Sequence, residues 1–245
     1  MRMMTRLVSV GVAFALAAVS LGATPQGPVQ LVRKAKAGSV TRYRTEGKAS
    51  VDANGMQMAI EIKGVETYTV SAVAASGDLT LIDNTESVEI SMNGQPAPAD
   101  PSMLTKSTIV VHPNGSLVSY TKEGGVSTQS DVRMFAATNP IFPDTPVKVG
   151  DKWSRSIAAN AATGAHAAKA DYEVLAFETA DGSAAVKIKM SYAEVIAPAL
   201  STSATFWIDR ATGDPIRIEG TVQNFPLDEA SGMTANLTIT QTRIK

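Results

Sequence analysis

Residues 142–153 read FPDTPVKVGDKW and lie between two regions of strand-like sequence. Pro143 and Pro146 hold the segment extended, because proline fixes φ, lacks the backbone N–H that a helix needs and restricts the residue before it. Gly150 predicts a turn, and Trp153, one of two tryptophans in the chain, begins a new strand. The segment therefore predicts the middle of a β architecture and indicates no particular chemistry.

On the N-terminal side of this segment, apolar and polar side chains alternate in runs of strand length. The runs 56–62, 68–74 and 88–92 each place their apolar residues at every second position. Successive strand side chains point to opposite faces, so each run has one apolar and one polar face. Glycine dipeptides such as Asn93-Gly94 supply the positive φ angles that hairpins need. The pattern predicts an antiparallel meander with one buried face.

On the C-terminal side the same alternation resumes, and its clearest example is the last strand at 233–239. Between the two regions, a short helix is predicted over 131–137, and it ends before Pro140. The predicted fold class is mainly β, as one continuous antiparallel sheet with one or a few short helices.

Residues 1–23 have the pattern of a secretory signal peptide. Arg2 and Arg6 precede an uninterrupted run of apolar and small residues that is too short for a comfortable membrane span. We expect cleavage after Ala23, with an N-terminal membrane anchor as the alternative. Loss of the two arginines takes the formal net charge from −1 to −3, and we expect no transmembrane span after cleavage.

The remaining chain is predicted to form a lead-in segment at 24–38, with a short strand at 29–32, followed by a single antiparallel β domain at 39–245. Two β halves would meet at 139–153. A weak echo between 68–81 and 172–188 indicates either an internal duplication or the chance similarity that period-two strands produce.

The composition limits where the protein can be located and which kinds of partner it can bind. The chain has no cysteine, so lipid attachment through cysteine is excluded and no disulfide can form. That suits an exported protein of a bacterial envelope, periplasmic or extracellular, that is held together by its core. Nucleic acid would need a basic stripe, and the sequence has none.

The inventory of catalytic groups is poor. The two histidines, His112 and His166, lie in a hairpin turn and in an alanine-rich segment. The zinc-protease motif, the nucleophile elbow and a phosphate-binding glycine loop are all missing. We therefore predict a non-enzyme with no metal and no cofactor. A hydrolase stays open as an alternative, because only the structure can tell whether two carboxylates face each other in a cleft.

Three residues are the candidate ligand contacts: Met58, Met190 and Trp207. The two methionines fall on predicted apolar faces, where methionine either fills a core or lines a cavity for variable apolar ligands. Trp207 alternates onto the face opposite Phe206 and Ile208. A tryptophan on the polar face indicates a second contact, either a covering segment of the chain or a ligand.

The motif Pro143-x-x-Pro146-Val147-x-Val149-Gly150-Asp151-x-Trp153, followed by strand pairs, resembles secreted bacterial families of unknown function of the DUF6263 type. The strand pattern is similar to that of the LolA/LolB-like envelope proteins. The resemblance implies a curved antiparallel sheet, a LolA-like half-barrel whose hollow is closed by short helices. Some members of that wider group carry lipoprotein acyl chains.

We therefore expect an exported, non-catalytic protein that binds an apolar or lipid-like ligand in the hollow of a curved β-sheet. One-sided strands favour this, because their apolar face has to be covered by something. The alternative is a structural or interaction module of the bacterial cell envelope, which would bind an envelope protein partner and no small ligand.

Overall fold

A computed structural model describes residues 27–53, 56–124, 129–161, 163–228 and 233–244. The predicted signal peptide lies outside the described residues. The helix α1 spans Gln129–Thr138, slightly longer than predicted, and Pro101–Met103 form a 3-10 turn. The strands are β1 (Val40–Ala53), β2 (Met56–Val73), β3 (Leu79–Met92), β4 (Gln95–Ala97), β5 (Lys106–Val111), β6 (Leu117–Lys122), β7 (Lys152–Ile157), β8 (Ala168–Ala180), β9 (Ser183–Glu194), β10 (Ser201–Asp209), β11 (Pro215–Asp228) and β12 (Met233–Ile244).

All of these strands belong to one antiparallel sheet, in the order β6-β5-β3-β2-β1-β12-β11-β10-β9-β8-β7, with β4 paired to β3. The first strand pairs with the last at the centre of the sheet. The middle of the chain therefore connects the two outer edges. Over the described residues the edge strands β6 and β7 do not pair with each other, so the sheet stays open. The predicted fold class, a mainly β protein with one curved antiparallel sheet and a short helix, is confirmed.

The period-two pattern decides which side chains are buried. In β9, Val186, Ile188 and Met190 are fully buried, while Lys189 between them is exposed. The pairing of neighbouring strands shifts register at several places, one of them between Val65 and Glu66 of β2. Such bulges bend a strand and increase its twist, which is how a sheet of this width curves into a half-barrel.

Two hydrophobic clusters lie on the face of the sheet that α1 covers. The larger belongs to β8–β11 and includes Ala137 of the helix. The smaller belongs to β2, β3 and β5, and Phe135 of the same helix packs against it. Because α1 touches both clusters, it crosses the hollow of the sheet.

Segment 142–153 follows α1 and leads into β7, the edge strand next to β8. Phe142 is fully buried. Val147 pairs with Val29 through two backbone hydrogen bonds of 2.8 Å. This isolated bridge replaces the short strand predicted at 29–32, because the lead-in hydrogen-bonds to several separate segments, at Val147, Pro113 and Thr212, and not to one continuous strand. Trp153 is an anchor, as its indole stacks on Tyr172 with ring centroids 4.8 Å apart.

We expect Trp153→Phe to lower the free energy of unfolding by about 1–2 kcal/mol. The phenyl ring retains the stack on Tyr172, but it cannot replace the indole N–H that donates to the Ile141 carbonyl at 2.9 Å. Urea unfolding monitored by circular dichroism would measure the change. Lys152→Ala, which alters an exposed neighbour, is the control, and an equal loss in both variants would contradict the anchoring role.

Candidate functional site

A cavity of about 350 Å³ lies between the sheet and α1 and is lined by residues of both hydrophobic clusters. Strands on both sides of the central β1–β12 pair form its floor, and α1 with the lead-in segment forms its roof. Much of the lining is apolar, and it includes Leu81, Ile109, Phe135, Ile218, Val222 and Ile239. The volume is at the lower end of the range of small-molecule sites.

One part of the lining carries two carboxyl groups joined by a tyrosine. Glu66 and Tyr68 lie two residues apart on β2 and so share a face, and the strand register places Asp83 of β3 directly opposite Tyr68. The Tyr68 hydroxyl lies within hydrogen-bonding reach of both carboxyl groups and can donate its single proton to one of them at a time. Gln241 of β12 donates to Glu66 Oε2 at 3.3 Å. All four residues line the cavity.

Burial changes the acidity of this pair. It raises the pKa of Asp83 to about 7; the charge of Glu66 acts in the same direction and the hydrogen bond from Tyr68 acts against both. Burial also raises the pKa of Glu66, opposed by hydrogen bonds from Tyr68 and Gln241. The pair therefore changes its charge near neutral pH.

Three polar atoms of lining residues are buried without a hydrogen-bond partner in the described part of the chain. They are Arg33 Nε, Asp83 Oδ1 and Thr202 Oγ1, and Thr202 is only 5% exposed. Buried polar atoms are nearly always paired with protein or water. The lining is therefore incomplete without an occupant that offers polar atoms.

A second charged group in the lining, Arg33, is partly satisfied within the described protein, although its Nε has no hydrogen-bond partner there. Arg33 is buried, and its Nη2 donates to Asn139 Oδ1 at 3.2 Å. Its positive charge opposes the rise that burial causes in the pKa of Asp214. Glu66 and Asp83 have no such compensation, since neither forms an ion pair among the described residues and no basic group acts on the pKa of either.

The helix that roofs the cavity is held by a buried ion pair. Arg133 of α1 donates from Nε and Nη2 to the two carboxylate oxygens of Glu194, at 2.8 and 2.7 Å. Glu194 ends β9, its side chain is fully buried, and it also accepts the Leu200 backbone N–H at 3.1 Å. This fork ties α1 to the edge of the larger cluster.

The structure does not bring together the three residues predicted to contact a ligand. Met190 is fully buried in the larger cluster, and Met58 is half-buried on β2 opposite Val51. Trp207 lies between the cationic groups of Lys187 and Arg217, and its indole N–H donates to Glu178. None of the three lines the cavity. Their role as ligand contacts stays a prediction, and the cavity directs mutagenesis to other side chains.

The residues that sequence reasoning missed had a visible signal. Glu66 keeps step with the apolar positions Tyr68 and Val70 along β2, and Asp83 keeps step with Leu79 and Leu81 along β3. A carboxylate at a position that periodicity assigns to the buried face is expensive unless it is paired. Such residues are candidates for a functional site.

Comparisons with known proteins do not identify a family. No family model and no curated protein matches the chain, so the resemblance of segment 142–153 to DUF6263-type families is not confirmed. A Bacteroides fragilis protein with a YmcC-like fold, described as a candidate exported protein, aligns at 12% identity over 88% of this chain and 99% of its own, with a TM-score of 0.32. The ywiB protein of Bacillus subtilis aligns at 12% identity over 85% and 96%, with a TM-score of 0.25. These scores support no inference about function.

Helices of the described residues offer no membrane span, because none is both long and apolar enough to cross a bilayer.

Proposed function

We propose that this protein is an exported, non-catalytic binding protein that holds an apolar or lipid-like ligand in the hollow of its curved sheet. The observation that carries the proposal is the cavity of about 350 Å³ between the sheet and α1, with its largely apolar lining. A packed core leaves few voids larger than a water molecule. A cavity of this size, roofed by one tethered helix, does not help to stabilise the fold and is better explained as a site for a ligand.

Export rests on the N-terminal sequence. Arg2 and Arg6 followed by the apolar run to Leu21 have the pattern of a signal peptide. The absence of cysteine suits a bacterial periplasmic or extracellular protein without disulfides. A ligand of the cell envelope, including its lipids, would be available to the protein there.

Native mass spectrometry with lipid extraction, on the mature protein purified from its own envelope, tests the proposal. An acyl lipid that co-purifies at near one-to-one stoichiometry would support it. A clean apo mass, with no lipid taken up on titration, would contradict it and leave an interaction module for an envelope protein partner as the better account.

Filling the cavity is expected to remove the ligand. Ile239→Trp adds bulk to the apolar lining, and displacing about 60 Å² of ligand surface costs about 1.5 kcal/mol, or about tenfold in affinity. Titration of the purified variant with a fluorescent acyl probe measures the change. Thr238→Trp, at the exposed neighbouring position of β12, is the matched control, and equal affinity in the two variants would contradict the assignment of the cavity.

One observation favours a second candidate function, hydrolysis. Glu66 and Asp83 lie in the same cavity, and Asp83 has a pKa suited to general acid–base catalysis at neutral pH. Both groups contact one tyrosine and therefore lie on the same side of any occupant, which argues against the flanking arrangement that sugar cleavage uses. In the mass spectrometry experiment, a bound molecule that is hydrolysed by the wild type and left intact by Asp83→Asn would favour this candidate.

A further inference from the structure

We propose that the cavity selects an amphiphile with a protonated amine head and an apolar chain, and that Glu66, Asp83 and Tyr68 hold the head. This inference rests on the proposed function and names the class of ligand. The lining has a polar part that would hold such a head and an apolar part that would hold such a chain. From Gln241, which donates to Glu66, the lining continues along β12 and β11 to the apolar side chains of Ile239, Ile218 and Val222.

The carboxyl groups at the head of the cavity have no cationic partner in the part of the chain that the structure describes. Glu66 and Asp83 lie in a half-buried setting, and no ion pair among the described residues includes either of them. Buried carboxylates are normally paired with a cation or accept several hydrogen bonds. An ammonium group supplies both a positive charge and three donors, and Asp83 Oδ1 is a buried acceptor that no described donor satisfies.

The aromatic side chains around the carboxyl groups suit the same head group. Tyr43 and Tyr68 both line the cavity and pack edge to face, with ring centroids 5.6 Å apart. Tyrosine rings attract cations through their negative faces. A fatty acid would instead place its carboxylate beside two like charges, which raises the free energy of binding.

Thr202 is an independent sign that the cavity takes an occupant. Its hydroxyl is buried in the lining, on β10, and has no partner among the described residues. Thr202 faces Val222 in the strand register, at the part of the cavity away from Asp83. Besides Arg33 Nε, the unsatisfied atoms Asp83 Oδ1 and Thr202 Oγ1 therefore lie on strands far apart in the sheet, and an elongated ligand would reach from one to the other.

Three probes with one chain and different heads test the inference: dodecylamine, dodecanol and dodecanoate, each titrated below its micellar concentration by isothermal calorimetry at pH 8. We expect dodecylamine to bind at least about tenfold more tightly than dodecanol, since hydrogen bonds to charged groups contribute that much. Dodecanoate should bind more weakly than dodecanol. Glu66→Gln with Asp83→Asn should abolish the preference for dodecylamine over dodecanol. Glu89→Gln, exposed on β3, is the matched control.

The outcomes separate the two proposals. If none of the three probes binds, the binding function itself is contradicted. If all three bind with similar affinity, or dodecanoate binds best, the function survives and the cationic head is contradicted. If dodecylamine is preferred equally by the wild type and the double variant, the preference arises elsewhere and the assignment to Glu66 and Asp83 is wrong.

A pH series gives a second readout. Since the pKa of Asp83 is raised to about 7, its negative charge is lost below that pH, and the preference for dodecylamine over dodecanol should fall between pH 8 and pH 6. An unchanged preference across this range would contradict the role of Asp83. The other titratable or charged groups that line the cavity are Arg33 of the lead-in, Tyr43 of β1, Glu66 and Tyr68 of β2, Tyr120 of β6, Asp131 of α1, and Asp214 before β11.

Discussion

Arg133→Met is expected to lower the free energy of unfolding by about 3–5 kcal/mol, because removal of one partner leaves the other charge buried and uncompensated. The Glu194 side chain is fully buried. After the change it would keep only the Leu200 N–H at 3.1 Å and His166 Nδ1 at 3.7 Å. Chemical denaturation followed by circular dichroism measures the loss.

The double variant Arg133→Met with Glu194→Met separates charge from packing. It removes both buried charges, so it should lose less stability than the single variant. Lys48→Met is the control, since it breaks an exposed pair with Glu61 at 3.2 Å and should change stability by less than about 0.5 kcal/mol. A double variant that is less stable than Arg133→Met alone would show that the ion pair acts through shape and hydrogen bonding instead.

The single variant Arg133→Met also tests whether the stability of the fold and the proposed binding function depend on each other. Arg133 tethers α1, and residues of α1 such as Met134 and Phe135 form part of the cavity roof. If the helix loosens, the ligand loses apolar contacts on that side, so affinity for an acyl probe should fall together with stability.

Local periodicity predicted the strands and the helix because the pattern of buried and exposed side chains in each element repeats over residues close together in the sequence. In β12 the alternation of Ala235, Leu237 and Ile239 with polar residues is visible in the sequence, and Pro140 marks the end of α1. The pairing of β1 with β12 was not predictable, since these strands lie at opposite ends of the chain and local sequence does not specify which distant strands pair.

The candidate site was harder to predict for two reasons. In β3 the apolar positions are odd at Leu79 and Leu81 but even at Val88 and Ile90, and this change of phase is the mark of a bulge near residue 86. Only the phase of Leu79 and Leu81 assigns Asp83 to the buried face, whereas the phase of Val88 and Ile90 would assign it to the opposite face. Trp207 shows a different limit, because the charged neighbours on adjacent strands that lie over its ring could not be identified before the strand register was known.

Asp83→Asn is expected to stabilise the protein at pH 8 by about 2–4 kcal/mol, with no gain at pH 4. The ordinary pKa of this carboxyl is 3.8, and burial raises it to about 7 in the folded state. Between those values the folded protein binds more protons than the unfolded chain. The wild type therefore loses stability as pH rises from about 4 to 7. Above that range the ionisation of Asp83 causes little further change in stability. Asparagine keeps an acceptor for Tyr68 and never ionises.

The measurement is the difference in free energy of unfolding between the wild type and Asp83→Asn, from urea titrations at several pH values. Taking the difference cancels the carboxyl groups that do not interact with Asp83, including Asp78 and Glu86, whose lowered pKa values act in the opposite direction. Glu89→Gln, exposed on the same strand, should show no such slope. A difference that does not change with pH would contradict the buried carboxylate.

The sign of this effect bears directly on function. A side chain that weakens the fold at neutral pH, and whose simple amide replacement would strengthen it, contributes nothing to stability where it stands. Its buried Oδ1 has no partner in the described protein. One outcome is that Asp83→Asn both gains stability at pH 8 and loses the preference for dodecylamine. That result would show that the carboxylate destabilises the protein without ligand and provides the negative charge that binds the amine. A gain in stability with the preference intact would separate the two and leave Asp83 as a strained residue without a role in recognition.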